Sequence, residues 1–233
     1  MLAGSVLQSN SQAMNNNLNT NTSLAPVEQL NLTEEWDKVF PKSDKVDHKK
    51  VTFVNRYGIT LAADMYTPKG AAGKLPAIAV SGPFGAVKEQ SSGLYAQQLA
   101  ERGYLTIAFD PSFTGESGGM PRRVASPDIN VDDFSAAVDF LSVQPNVDAA
   151  RIGILGVCGW GGIAIQAAIN DPRIKATVSS TMYDMTRVNA NGYFDSENTR
   201  EQRNAKRAAM AAQRTEDYRN GQYTRGGGVV DPL

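Results

Sequence analysis

The stretch Ile154-Leu155-Gly156-Val157-Cys158-Gly159-Trp160-Gly161-Gly162-Ile163-Ala164 decides both the fold and the chemistry of this chain. Apolar residues typical of a buried strand run directly into glycines, and a helical pattern begins beyond them. A strand-turn-helix corner of this kind holds the nucleophile in enzymes with a nucleophile elbow, because the tight turn exposes the side chain at its apex. The stretch therefore predicts Cys158 as a nucleophile and the N–H of Gly159 as an oxyanion donor. A buried structural cysteine is the alternative interpretation.

Outward from this corner, strands and helices alternate along the chain. The pattern predicts strands at residues 51–55, 60–66, 75–81, 105–109, 152–157 and 174–180. It predicts helices through Tyr95 and Leu99, from an N-cap at Asn130, at residues 161–170, and at residues 198–220 with Asn198 and Glu201 as a cap pair. This alternation favours an α/β fold with a mostly parallel sheet flanked by helices. Sites on such sheets lie at the carboxyl ends of the strands.

The loop after the strand at residues 75–81 supplies a second part of the candidate site. It begins Gly82-Pro83-Phe84-Gly85. In elbow enzymes the loop after the third strand provides another oxyanion N–H. Pro83 has no N–H, so the donor is predicted to be Phe84 or, failing that, Gly85. A glycine-proline turn without a catalytic role is the other interpretation.

Two stretches of the sequence also match motifs that are typical of other functions. Gly159-Trp160-Gly161-Gly162-Ile163-Ala164 fits the dinucleotide-binding pattern G-x-G-x-x-A, although that pattern normally follows the first strand of its sheet. Gly115-Glu116-Ser117-Gly118-Gly119 reads as G-x-S-x-G, but no strand runs into it and no helix follows it. We therefore predict that residues 115–119 form an ordinary loop.

Gly82-Pro83-Phe84-Gly85, the loop at residues 110–119 and residues 156–162 together resemble an α/β-hydrolase of the bacterial dienelactone-hydrolase-like subgroup. The resemblance runs from about residue 33 to residue 233. It implies hydrolysis of acyl esters or lactones by a Cys-His-Asp triad without a cofactor, with Cys158 in the nucleophile's place. The chain departs from the family at Trp160, where the family has glycine, and at Gly82, where it has glutamate, so the substrate is not carried over.

The family's acid follows a late strand and its histidine follows the last one, and neither has a counterpart after residue 180. The only histidine, His48, precedes the first strand and is predicted to be a solvated residue far from Cys158. We therefore expect a chain truncated before its C-terminal strands, acid and base, and weak or inactive by itself. Two other functions stay open: a non-catalytic remnant or interaction module, and a dinucleotide-binding domain.

Three segments are predicted along the chain. Residues 1–35 are rich in Asn, Ser, Thr and Gln and are expected to be a disordered leader. Residues 36–187 form the N-terminal part of the hydrolase domain, and residues 188–233 start a cap region. Residues 1–13 also match the end of a signal peptide, with a short apolar run before Ser11 and Ala13. If this match is a signal peptide, the predicted localisation is periplasmic or secreted. For the sequence as given, the predicted localisation is cytoplasmic.

Composition narrows the remaining functions. The 233 residues are 41% hydrophobic, with a net charge of −1 that gives no electrostatic footprint for nucleic acid. No stretch approaches the ~18 consecutive apolar residues of a membrane helix. One cysteine and one histidine exclude a disulfide framework and a metal site built from several of either. The expected partner is a small acyl ester or lactone, with no metal or cofactor, and with self-association through an exposed sheet edge.

Overall fold

A computed structural model describes residues 28–197 and 199–226 of the chain. Six strands within these residues form one sheet: β1 (Val46–Val54), β2 (Thr60–Pro68), β3 (Leu75–Ser81), β4 (Leu105–Phe109), β5 (Val147–Val157) and β6 (Ile174–Ser180). Their order is β1-β2-β4-β3-β5-β6, with β1–β2 and β2–β4 antiparallel and the other pairs parallel. This confirms the predicted α/β fold.

Helices cover both faces of the sheet. Those of the described residues are α1 (Ser91–Ala100), α2 (Pro127–Ser142), α3 (Gly159–Asn170), α4 (Met185–Asn191) and α5 (Arg200–Asn220). Helix α1 packs Ala96 against one face, together with Leu155 of β5. Helices α2 and α3 pack Phe134 and Ala164 against the other face, together with Ile154. Neighbouring residues of a strand point to opposite faces, so β5 contributes to both apolar layers.

The first strand begins earlier than the sequence predicts. It starts at Val46 rather than at residue 51, because the charged residues 47–50 pair with the apolar strand β2. His48 lies opposite Tyr66, and Lys50 lies opposite Asp64. The partner strand therefore imposes an extended structure that the polar run alone does not indicate.

Helix α2 also begins before its predicted start. Ser126 is the N-cap and Pro127 occupies the first turn, where a missing N–H costs nothing. The side-chain oxygen of Asn130 accepts a hydrogen bond from the Ser126 N–H at 2.8 Å. Asn130 is thus a residue of the first turn that reaches back to the cap, and the predicted N-cap was wrong.

Helix α5 begins with a capping box. The Thr199 side chain accepts from the Gln202 N–H, and the Gln202 side chain accepts in return from the Thr199 N–H. The prediction of Asn198 and Glu201 as the cap pair was therefore one residue early, and Asn198 itself lies outside the described residues. No residue of α5 is buried, so the helix is in contact with solvent along its length.

The described residues begin inside the predicted leader. The N–H of Glu28 donates to Thr60 Oγ1 at 2.9 Å, and the N–H of Thr33 donates to Glu116 at 2.6 Å. These bonds attach residues 28–33 to the sheet and to the loop that follows β4. The signal-peptide interpretation of residues 1–13 lies outside the described residues.

Strand β6 forms an exposed edge of the sheet. Its residues between Ile174 and Ser180 are exposed, and Val178 borders an open apolar groove of about 410 Å³ together with Leu99 and Leu155. Pairing of this edge with another chain stays a prediction. Among the described helices, none combines the length and the apolar character that a membrane span requires.

Candidate active site

Cys158 lies at the corner between β5 and α3 in a backbone conformation that side chains rarely adopt. Its φ is 59° and its ψ is −126°, a region taken almost only by glycine. The Cys158 N–H donates to Ser180 O at 2.8 Å, and its carbonyl accepts from the N–H groups of Gly161 at 3.0 Å and Tyr183 at 3.2 Å. These bonds fix the corner to the end of β6. The thiol is free and half-buried.

The glycine before the corner allows the helix to start close to the strand. A Cβ at Gly156 would lie 2.1 Å from the Trp160 carbonyl oxygen, so only glycine fits there. The Trp160 side chain is 3% exposed and packs against Phe84 and Phe134, with ring centroids 5.8 and 6.3 Å away. Trp160, which replaces the glycine of the resembled family, is therefore a residue of the hydrophobic core.

The loop at residues 82–85 lies directly on this corner. A Cβ at Gly159 would meet Phe84 Cδ2 at 2.3 Å, and a Cβ at Gly82 would meet Val157 O at 2.5 Å. Within the part of the chain that the structure describes, the N–H groups of Phe84 and Gly159 have no hydrogen-bond acceptor. Gly85 is exposed, with open space at its Cα. Phe84 is thus the loop residue in contact with the corner.

The glycines of the dinucleotide-binding pattern have no open space beside them for a ligand. That pattern uses glycine so that a pyrophosphate can approach the backbone. At Gly159 the corresponding space is filled by the Phe84 ring at 2.3 Å and by Met185 Cγ at 2.6 Å. At Gly161 it is bordered by Met182 at 3.0 Å. These glycines serve the packing of the protein's own side chains.

Ser117, in the G-x-S-x-G motif, holds a loop together. Its hydroxyl donates to Asp110 O at 2.6 Å and accepts from the Ala62 N–H at 2.8 Å. The residue is 2% exposed, and no strand runs into residues 115–119. The prediction of an ordinary loop is confirmed.

His48 is not the solvated residue that the sequence predicts. Its side chain is 13% exposed, and its Nε2 lies 2.7 Å from Asp64 Oδ1. The rings of Trp36 and Tyr66 each lie 5.1 Å from it, centroid to centroid. His48 is largely buried because β1 pairs with β2, which places its ring against Trp36 and Tyr66. His48 is far from Cys158, as predicted, since β1 and β5 are four strand spacings apart, which is about 19 Å across the sheet alone.

Sequence reasoning missed a largely buried set of charged residues beside the loop at residues 82–90. We call it the charge cluster: Asp37, Lys38, Lys50, Asp64, Lys88, Glu89, Asp110 and Glu116. Lys38 and Lys88 have fully buried side chains. Asp110 follows a buried strand directly. Its position at the carboxyl end of β4 was the one signal in the sequence that could have indicated Asp110 as a site residue.

Three carboxylates of the charge cluster approach one another closely enough to hold a metal ion. Oxygen atoms of Asp37, Glu89 and Glu116 all lie within 4.8 Å of one another. Lys50 Nζ lies 2.7 Å from Glu116 and 3.6 Å from both Asp37 and Glu89. The ammonium groups of Lys38, Lys50 and Lys88 already pair with these three carboxylates, so the arrangement is that of an ion-pair network.

Glu116 is expected to make the stability of the fold depend on acid pH. Burial alone raises the pKa of its carboxyl, but hydrogen bonds from Lys50 and Lys88 outweigh burial and lower the pKa from 4.5 to about 2. A lowered pKa means that the carboxylate stabilises the fold above pH 4.5 and loses this effect as the pH falls toward 2. Glu116→Gln should therefore cost about 1 kcal/mol at pH 7 and much less near pH 2.

Urea unfolding of the native protein and Glu116→Gln across this pH range measures the difference. A difference in unfolding free energy that does not change with pH would contradict the assigned ion pairs.

The order of the sheet, the strained cysteine corner and the loop that covers it define an α/β-hydrolase. The sequence model of the X-Pro dipeptidyl-peptidase (S15) family, which lies in the same superfamily, matches residues 57–227. The chain belongs to this family. The predicted resemblance to α/β-hydrolases is thereby confirmed.

Individual relatives support the same fold. The chain is 64% identical over 194 residues to the uncharacterized protein PA2218 of Pseudomonas aeruginosa, covering 83% of this chain and 52% of the relative. The crystal structure of that protein superposes with a TM-score of 0.81 at 60% identity, covering 87% of this chain and 65% of the other. The thiohydrolase aneE of Aspergillus aculeatus is 33% identical over 137 residues, or 59% and 42% of the two chains. The chain thus spans about half the length of the curated relatives it matches.

Proposed function

We propose that this chain reacts with small acyl esters, thioesters or lactones through the thiol of Cys158. The observation that carries the proposal is the strained backbone of Cys158, at φ 59° and ψ −126°, which presents the side chain above the carboxyl ends of the parallel strands. The N–H groups of Phe84 and Gly159, which lack acceptors among the described residues, support the proposal.

The Cys158 thiol first releases its proton to water, and the resulting thiolate attacks the acyl carbonyl carbon. The new S–C bond pushes an electron pair onto the carbonyl oxygen, and the N–H groups of Phe84 and Gly159 donate to that oxyanion. When the carbonyl re-forms, the alkoxide or thiolate leaves and takes a proton from water. The product is an acyl thioester on Cys158.

Hydrolysis of that thioester is expected to be slow in this chain. Water attacks a thioester efficiently only when a base removes its proton. The one histidine of the sequence, His48, pairs with Asp64 on β2, and its strand lies four spacings from β5, which is about 19 Å across the sheet alone. We therefore propose stoichiometric acylation followed by weak or no turnover.

The proposed substrates extend from esters and lactones to thioesters. One relative is named a thiohydrolase, and its matched region includes more than half of this chain. Thioesters and oxygen esters form the same type of tetrahedral intermediate, so the same two N–H donors serve both.

The proposal predicts a single covalent adduct with p-nitrophenyl acetate. We expect one equivalent of p-nitrophenol to be released per chain and the intact mass to rise by one acetyl group. Peptide mapping should find this group on Cys158, the only cysteine. Little p-nitrophenol should follow the first equivalent, because the only histidine of the sequence, His48, is far from Cys158.

A rival serine provides the matched control. Ser117→Ala removes the hydroxyl of the G-x-S-x-G motif and should leave the adduct intact, whereas Cys158→Ala should abolish it. Acetyl groups found only on lysines, or an adduct that survives Cys158→Ala, would refute the proposal. Steady turnover would refute the proposed lack of a base.

A further inference from the structure

The loop that covers the elbow is fixed at both of its ends by the carboxyl end of β4. At one end, Ser81 Oγ donates to the Phe109 carbonyl oxygen at 3.0 Å. At the other end, the Lys88 N–H donates to Asp110 Oδ1 at 2.8 Å. Phe109 and Asp110 are consecutive residues, so a single point of the sheet holds residues 82–87 from both sides.

The side chain of Lys88 makes a second attachment to Asp110, in addition to the backbone hydrogen bond. Lys88 Nζ lies 2.9 Å from Asp110 Oδ2, 2.6 Å from Glu116 Oε2 and 2.5 Å from Glu89 Oε1, with no part of the side chain exposed. Burial alone would lower the pKa of this ammonium, but the carboxylates outweigh burial and raise it above its ordinary value. Lys88 is therefore a permanent cation with every donor directed at a carboxylate.

Asp110 in turn joins this loop to the one that follows β4. Its Oδ2 accepts the Glu116 N–H at 2.9 Å, in addition to the Lys88 ammonium. A Cβ at Gly115 would lie 2.2 Å from Asp110 Oδ2, so the turn closes tightly around the carboxylate. One buried carboxylate thus sets the relative position of the two loops.

Phe84 lies between the two attachment points. Its ring contacts Gly159, and its backbone N–H has no acceptor among the described residues. A shift of the Lys88 end of the loop would therefore move this N–H relative to Cys158. Catalytic hydrogen bonds tolerate little displacement, since a misplacement of about 1 Å costs about 100-fold in rate.

We propose that Lys88 and Asp110 are positioning residues that set the oxyanion donor Phe84 against Cys158. The inference rests on the proposed acylation of Cys158. It assigns to this buried ion pair a role in the rate of acylation that is separable from its role in stability.

Two reactions of the same thiol separate these roles. Alkylation by iodoacetamide forms an S–C bond and expels iodide without any oxyanion, so it reports only on the exposure and ionisation of Cys158. Acylation by p-nitrophenyl acetate passes through an oxyanion and reports on the Phe84 N–H as well. The ratio of the two rates therefore isolates the oxyanion donors.

We expect Asp110→Asn to slow acylation by about 10- to 100-fold, with alkylation within about twofold of the native rate. The matched control is Asp133→Asn. Asp133 is also fully buried and accepts from Ser112, Asn55 and Asn130, but makes no bond to residues 82–90. This control should leave the ratio of the two rates unchanged. Thermal unfolding of both variants establishes that they are folded.

Glu116→Gln provides a second variant if Asp110→Asn does not fold. Its side chain is partly exposed and its amide oxygen still accepts from Thr33, so the fold is retained while Lys88 loses one carboxylate. Acylation should slow several-fold with alkylation unchanged. Equal losses in both reactions, or no loss in acylation, would overturn the proposal. Alkylation without any acylation of the native protein would instead refute the proposed function itself.

Discussion

Cys158→Gly is expected to abolish acylation and, at the same time, to stabilise the fold relative to Cys158→Ala. The φ of 59° and ψ of −126° at this position cost a residue with a Cβ about 1–3 kcal/mol, and glycine adopts them without strain. Against this gain stands the larger conformational entropy of glycine in the unfolded chain, about 0.5–1 kcal/mol. The net expectation is about 1 kcal/mol in favour of glycine.

The comparison with Cys158→Ala isolates the backbone. Both variants lack the thiol, and alanine retains the Cβ that causes the strain. In a chain of this length, about 1 kcal/mol corresponds to a melting temperature about 2–4 °C higher for the glycine variant. Differential scanning calorimetry measures the shift, and the p-nitrophenyl acetate assay measures the adduct. A glycine variant less stable than the alanine variant would show that the corner is unstrained.

The candidate nucleophile could be predicted from sequence because its signal is local. The strand, the turn and the helix start all lie within residues 154–164, and each imposes its own residue types on that stretch. The same holds for the loop at residues 82–85, where proline leaves only its neighbours as N–H donors. Local constraints of this kind need no partner elsewhere in the chain.

The buried polar residues could not be predicted in the same way. Lys88 and His48 lie in polar runs that are typical of a solvated surface, yet both are directed inward. Their carboxylate partners, Asp110 and Asp64, are 22 and 16 residues away in sequence. A buried polar or charged group is tolerated only with such a partner, and the pairing exists only once the sheet has formed. The polarity of the single residue therefore predicts an exposed side chain at these positions, whereas the structure largely buries it.

Gly82→Ala is expected to destabilise the fold strongly and to slow acylation. A Cβ at this position would lie 2.5 Å from Val157 O and 2.7 Å from Trp160 Cβ, atoms of the elbow that cannot move without shifting β5 or α3. Backbone strain adds to this clash, because the φ of Gly82 is +98°. Together we expect a loss of about 3 kcal/mol in the free energy of unfolding.

Gly103→Ala is the matched control for strain without a clash. Its φ of +96° is nearly the same, and a Cβ there would meet nothing within 4 Å. This variant should lose about 1 kcal/mol and retain native acylation. Gly82→Ala should in addition slow acylation about 100-fold, because the added methyl group lifts Phe84 away from the elbow. Urea unfolding and the p-nitrophenol burst rate test both effects. Equal stability losses would mean that the loop does not rest on the elbow, and a native burst rate in Gly82→Ala would mean that Phe84 supplies no oxyanion donor.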